Sequence, residues 1–190
     1  MDGIFGWFGT LAAHETALAN MARAAGVDHH TGVALPNLGA GAGSRHDRAG
    51  CGQDGAVVAW MGRPTLLDPD LGHHARESGL ASALLCGWRR HGDRLPERLG
   101  GAFALAVLDP GAKLAMLALD RMGIERLAWS REHGVLAFGT SVQAVAALTR
   151  QREIDPQAIY DFLYFHTIPA PRTIYRGIAK LLPGQRLLWD

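Results

Sequence analysis

The sequence predicts an α+β domain built on largely antiparallel sheets. Three observations predict it. Apolar runs of strand length cluster together and are joined by turn signals, among them Asp109-Pro110-Gly111 and Glu132-His133-Gly134. Segments with helical spacing come in blocks and do not alternate regularly with strands, which argues against a doubly wound parallel sheet. The composition, 48% apolar with 24 glycines in 190 residues, fits one domain with a sizeable core and many tight connections.

Each element follows from local chemistry. Ile4-Phe5-Gly6-Trp7-Phe8-Gly9 is short, aromatic and punctuated by glycine, and it reads as a buried strand with Trp7 and Phe8 in the core. From His14 to Ala25, Leu18, Met21, Ala22 and Ala25 recur at helical spacing, and Gly26 ends the helix. Residues 31–38 read as a strand and the glycine-rich stretch 39–54 as a loop. Ala56 to Met61 is a second buried strand, and Leu80 to Trp88 a helix. Gly101 to Leu108 and Lys113 to Leu119 form the arms of a hairpin around Asp109-Pro110-Gly111. Two further strands are expected near Arg126–Ser130 and Val135–Phe138. Ser141 caps a helix to Leu148. Asp155-Pro156 is an N-cap followed by proline at the first helical position, opening a helix to about Tyr164. Gly184 to Trp189 closes the chain as a strand.

Bulk properties exclude several classes. The formal charge of +1 and the scattered Lys and Arg residues give no nucleic-acid footprint. No apolar run approaches the ~20 residues of a membrane helix, and the start lacks the pattern of a secretory leader. Cys51 and Cys86 fit two reduced thiols, so the expected compartment is the cytoplasm.

Four segments carry a resemblance. Met1-Asp2-Gly3-Ile4-Phe5-Gly6-Trp7-Phe8-Gly9 resembles the start Met-Cys-Gly-Ile-Phe-Gly-Tyr-Phe-Gly of the amino-terminal half of asparagine synthetase-family proteins, a class II glutamine amidotransferase domain. Arg98 to Asp109, Asp120-Arg121-Met122-Gly123-Ile124-Glu125-Arg126-Leu127, and Pro169 to Ile178 with Leu182-Pro183-Gly184 resemble later family segments in the same order. The resemblance implies a four-layer αββα sandwich of two antiparallel sheets, the N-terminal-nucleophile hydrolase type. It assigns residues 1–150 to the amidotransferase domain. Residues 151–190 become an extension leading toward a synthetase domain. Active members use a cysteine at residue one, with its own α-amino group as base, to release ammonia from glutamine for an ATP-using partner.

Asp2 stands at the nucleophile position. A thiol with pKa near ~8.5 is easily activated, whereas a carboxylate near ~3.9 attacks an amide poorly and would form an uphill mixed anhydride. Asp is also a poor second residue for Met1 removal, so residue 2 is expected to lack a free amine. The family's Asn-Gly-Glu triplet falls on Met61-Gly62-Arg63. Gly62 retains a backbone N–H for an oxyanion, but the Asn donor is absent, and losing one such donor costs about 10²–10³ in rate. The family's substrate-gripping Arg has no counterpart in 33–39. Its Asp before the middle helix falls near Gly79 or Leu80, with Glu77 the one substitute nearby. The expected reading is a degenerate, inactive domain with a structural or regulatory role.

Its expected partner is an ATP-dependent synthetase domain in cis or in trans, which would hold the ATP and Mg; this chain has no cofactor or metal of its own. Two alternatives stand beside it: an amidohydrolase or amidotransferase of altered chemistry using Asp2 with His14 or Glu77, and a homodimerisation module. His29-His30 and His73-His74 read as solvated loop histidines, since neighbours on a strand point to opposite faces. Asp120-Arg121 reads as a structural corner, and the glycines at 39–43 lack the Lys-Ser/Thr ending of a phosphate loop.

Overall fold

The structure is a computed structural model that describes residues 3–12, 14–27, 30–35, 37–43 and 48–190. Strand β1 (Gly3–Phe8) is buried throughout, as its aromatic and aliphatic run requires, and is followed by helix α1 (His14–Ala24). Strands β2 (Thr31–Leu35), β3 (Leu38–Gly43), β4 (Ala49–Cys51), β5 (Val57–Gly62) and β6 (Thr65–Leu66) come next. Helix α2 (Pro69–His91), a 3-10 helix (Gly92–Arg98), β7 (Leu99–Gly100), β8 (Phe103–Asp109) and β9 (Leu114–Leu119) form the middle of the chain. Then come β10 (Ala128–Glu132), β11 (Val135–Gly139), α3 (Val142–Thr149), α4 (Pro156–Phe165), β12 (Ala179–Lys180) and β13 (Arg186–Trp189).

Two antiparallel sheets result. The first runs β12-β10-β11-β1-β3-β2 and the second β13-β9-β8-β5-β4. They stack face to face around Ile4, Leu38, Val57, Ala106, Leu117 and Phe138, all fully buried. Helices α1 and α3 cover the outer face of the first sheet through Phe5, Trp7, Met21 and Ala144. Helix α2 covers the outer face of the second through Leu84, Leu85, Trp88 and Leu105. The α+β class and the αββα layering expected from the resemblance are therefore present. Beyond residue 150, β12 adds an edge strand to the first sheet and β13 one to the second.

Several local expectations need correction. Within the stretch 39–54, residues 39–43 are not a loop: β3 lies in the first sheet between β1 and β2, with Leu38, Ala40 and Ala42 buried. Its glycines are there for space. A Cβ at Gly39 would lie 2.2 Å from the Trp7 ring, one at Gly41 2.9 Å from Phe5, and one at Gly43 2.2 Å from Val27. Alternate glycines thus let the aromatic side chains of β1 lie across the neighbouring strand. Part of the same stretch, Ala49–Cys51, pairs with β5.

The middle helix begins at Pro69, well before Leu80. Asp68 caps it by accepting from the Asp70 amide at 2.9 Å. Gly79, at φ 84° and ψ 161°, interrupts it, so the helix expected from Leu80 is the portion after that break. His73 and His74 consequently sit on a helix, not a loop. His73 Nε2 lies 3.2 Å from Glu77, and His74 Nε2 lies 2.9 Å from Ser82 Oγ. Ser141 occupies the N-cap of α3 but makes no capping bond, its hydroxyl donating instead to Gln143 Oε1 at 3.0 Å. Asp155 does cap α4, accepting from the Gln157 amide at 3.0 Å.

Candidate functional site

The amino-terminal end of β1 meets the ends of β5 and β11 at a cavity of about 300 Å³. Gly3, Val27, Met61, Glu125, Arg126 and Thr140 are among its lining residues. Asp2, which precedes Gly3, lies outside the described residues, as do Met1 and His29.

The start of β1 is clamped to the turn after β11. The Ile4 amide donates to Thr140 Oγ1 at 3.2 Å, and the Thr140 amide donates to the Ile4 carbonyl at 2.9 Å. A Cβ at Gly3 would fall 2.5 Å from Thr140 Oγ1, so the clamp needs glycine there.

Across the cavity, β5 ends at Met61-Gly62. Gly62 has φ 85°, a conformation that favours glycine. The Arg63 amide donates to the Ala102 carbonyl at 2.8 Å. Ladder alternation then turns the Gly62 amide away from β8, toward the side on which β4 lies. A Cβ at Gly62 would meet Glu125 Oε1 at 2.8 Å, so the Glu125 carboxylate lies directly over this glycine. Met61 Sδ accepts from Arg48 Nη1 at 3.2 Å. Arg63 is exposed and is not part of the cavity lining.

Glu125 is delivered by a rigid corner. Asp120 is buried, and its Oδ1 accepts from the amides of Met122 at 3.0 Å and Ile124 at 3.2 Å. Its Oδ2 accepts from the Glu125 amide at 3.1 Å. Asp120-Arg121 is thus the structural corner expected, and it also sets the height of Glu125 over Gly62. Burial pushes the Glu125 carboxyl above the usual carboxylate range; the Arg48 guanidinium opposes this and the Asp120 charge adds to it.

The remaining candidates lie elsewhere. Glu77 is on the exposed side of α2, paired with His73, and neither it nor His14 is among the described lining of the cavity. His30 packs edge-on against Phe5 with ring centroids 5.9 Å apart. Trp7 and Phe8 are core. Cys51 and Cys86 are free thiols on other faces, and neither belongs to that lining. Among the described residues no group of three His, Cys, Asp or Glu side chains is placed to hold a metal ion. Among them, too, no helix is long and apolar enough to cross a membrane. Sequence reasoning reached Met61 and Gly62 but gave Glu125 no role beyond the resembling segment and placed Arg126 at the start of an expected strand.

Two face-to-face antiparallel sheets, helices outside each, and a first strand that opens into a cavity define the N-terminal-nucleophile amidotransferase fold. Two solved structures share it: the allosteric regulatory enzyme of purine biosynthesis and glutamine phosphoribosylpyrophosphate amidotransferase from B. subtilis. The first has a TM-score of 0.58 and 14% identity, covering 98% of this chain and 46% of the other. The second has a TM-score of 0.52 and 15% identity, covering 77% and 43%.

The chain belongs to the glutamine amidotransferase domain family, whose model matches residues 66–190. It is similar to the putative asparagine synthetase (glutamine-hydrolyzing) of Mycobacterium tuberculosis, with 28% identity over 110 residues, 56% of this chain and 17% of that protein. It is also similar to asparagine synthetase (glutamine-hydrolyzing) 1 of Bacillus subtilis, with 23% identity over 103 residues, 54% of this chain and 16% of that protein. The matched segment is about a sixth of the length of these curated relatives.

Proposed function

We propose that this glutamine amidotransferase domain is catalytically silent toward glutamine and acts as a structural or regulatory domain for an ATP-dependent synthetase. The observation that carries the reading is Asp2 at the nucleophile position of the resembling start. Neighbouring features support it. Met61 stands where the resembling triplet has the oxyanion-holding Asn, and it lines the cavity together with Glu125, whose carboxylate lies over Gly62. A carboxylate at that point disfavours a developing oxyanion by like-charge repulsion, the reverse of what amide hydrolysis needs. The synthetase would supply ATP and Mg chemistry in the cytoplasm, in cis or in trans.

The test is glutamate release from glutamine by the purified chain and by Asp2→Cys. Both are expected to stay at the uncatalysed background. Turnover by the unaltered chain at ordinary enzyme rates, about 1 s⁻¹ or more, refutes the reading. Recovery of such rates by Asp2→Cys alone would show that the rest of the site is intact.

A second reading rests on Glu125. A partly buried carboxyl with a raised pKa is suited to general acid–base work. In that reading Asp2 and Glu125 serve an amidohydrolase of altered chemistry. Amide hydrolysis by the chain that Glu125→Gln abolishes would favour it.

A further inference from the structure

Glu125 carries a carboxylate that no described residue satisfies. Among those residues its oxygens accept no hydrogen bond and form no ion pair, although Asp120 fixes its backbone and Oε1 lies 2.8 Å from where a Cβ of Gly62 would stand. The charged groups around it do not fill this role. Arg48 Nη1 donates to Met61 Sδ at 3.2 Å. Arg126 is exposed and lies near Lys180, whose amine is held below its ordinary range by burial and, second, by the Arg126 charge. Asp120 is taken up by the three backbone amides of its own corner. Glu125 is therefore a half-buried acceptor on a cavity of about 300 Å³, and Ala25, Val27, Met61 and Ile124 supply hydrocarbon to the same wall. A charge withdrawn from water without a partner is costly, and burial answers it here only by raising the carboxyl above its usual range.

We propose that this cavity binds a small organic ammonium ion, whose N–H groups donate to Glu125 while its hydrocarbon rests on Ala25, Val27, Met61 and Ile124. Three features select this chemistry. An ammonium brings donors and a compensating charge together, and hydrogen bonds between ionised groups are about twice as strong as neutral ones. The volume stands at the lower end of the ~300–1,000 Å³ range of ligand sites, so the ligand has few atoms. The carboxylate lying over Gly62 repels an anion at the point where the cation is held. Amine binding breaks no bond and is therefore independent of catalytic silence.

The probe is n-butylammonium chloride, titrated into the full chain at constant ionic strength and followed by calorimetry and by the amide NMR signals of Gly62, Glu125 and Thr140. Saturable binding that shifts these signals is expected. Butyrate and butanol, of the same chain length, should bind at least tenfold more weakly. Glu125→Gln should weaken binding on the order of ten- to hundredfold, the loss of one charge-assisted contact. Glu77→Gln, at an exposed carboxylate on α2, should leave it unaltered. An alkylammonium, with pKa near ~10.4, stays protonated below about pH 9. Affinity should therefore rise above pH 4.5 as Glu125 ionises and level off once it is charged. Absence of saturable binding overturns the proposal, as does binding that Glu125→Gln leaves within twofold of the parent, or butyrate binding as tightly as the amine. Binding is measured without glutamine, so glutaminase activity would refute catalytic silence and leave the amine site standing.

Discussion

Replacing Asp120 tests whether the corner is a structural device. Its buried carboxylate accepts three backbone N–H groups, from Met122, Ile124 and Glu125, at 3.0 to 3.2 Å. Hydrogen bonds to a charged group contribute about 1.5–3 kcal/mol each, but three that share one anchor do not add. Asp120→Ala also leaves three amides without their acceptor, so the expected loss is about 3–5 kcal/mol. For a chain of this size that lowers Tm by roughly 10 °C. Asp120→Asn keeps one oxygen for Met122 and Ile124 but turns an amide NH₂ toward the Glu125 N–H, for a smaller loss of about 1.5–3 kcal/mol. Equilibrium urea unfolding followed by tryptophan fluorescence measures both. An Asp120→Ala variant within ~1 kcal/mol of the parent would refute the assignment, because a solvated turn tolerates the change that well.

Two further predictions concern the site and the core. Burial raises the folded-state pKa of Glu125 above its ordinary value of 4.5, so the folded state holds this proton more tightly than the unfolded chain. Its favourable contribution is complete below about pH 4.5 and declines as pH rises through the folded value. Glu125→Gln should therefore flatten the stability–pH curve above 4.5 and stabilise the protein at pH 7, read by urea titrations across that window; an unchanged curve would contradict the burial argument. Gly39→Val puts a Cβ 2.2 Å from the Trp7 ring, and overpacking of this kind costs about 1–3 kcal/mol. Thermal unfolding should show the loss, with red-shifted tryptophan emission as the buried ring is pushed toward solvent, whereas a neutral variant would mean that β3 does not lie beneath Trp7.

Much of the fold was legible because its signals are local. The β8–β9 hairpin follows from apolar runs on either side of Asp109-Pro110-Gly111, and α4 from the Asp155-Pro156 start. The failures share one cause. β3 reads as a loop because glycine is a poor strand former on its own, and only Trp7 and Phe5 on the adjacent strand make alternate glycines necessary. The first half of α2 was missed because Gly72, paired histidines and Gly79 interrupt its periodicity. In the site, Met61 and Gly62 emerged from a motif, while Glu125 did not, since nothing local says that residue 125 lies over residue 62.

By itself, the sequence determined the α+β class, most strands and the Asp155 helix cap. These are properties of one residue or of neighbours in the chain. The tertiary structure alone decided that Gly3, Met61, Glu125 and Thr140 share one cavity, that β3 is an interior strand of the first sheet, and that α4 presents its aromatic side outward. Each depends on contacts between residues far apart in sequence, as in the clamp between Ile4 and Thr140, 136 positions apart, and no periodicity in a single segment encodes such pairings.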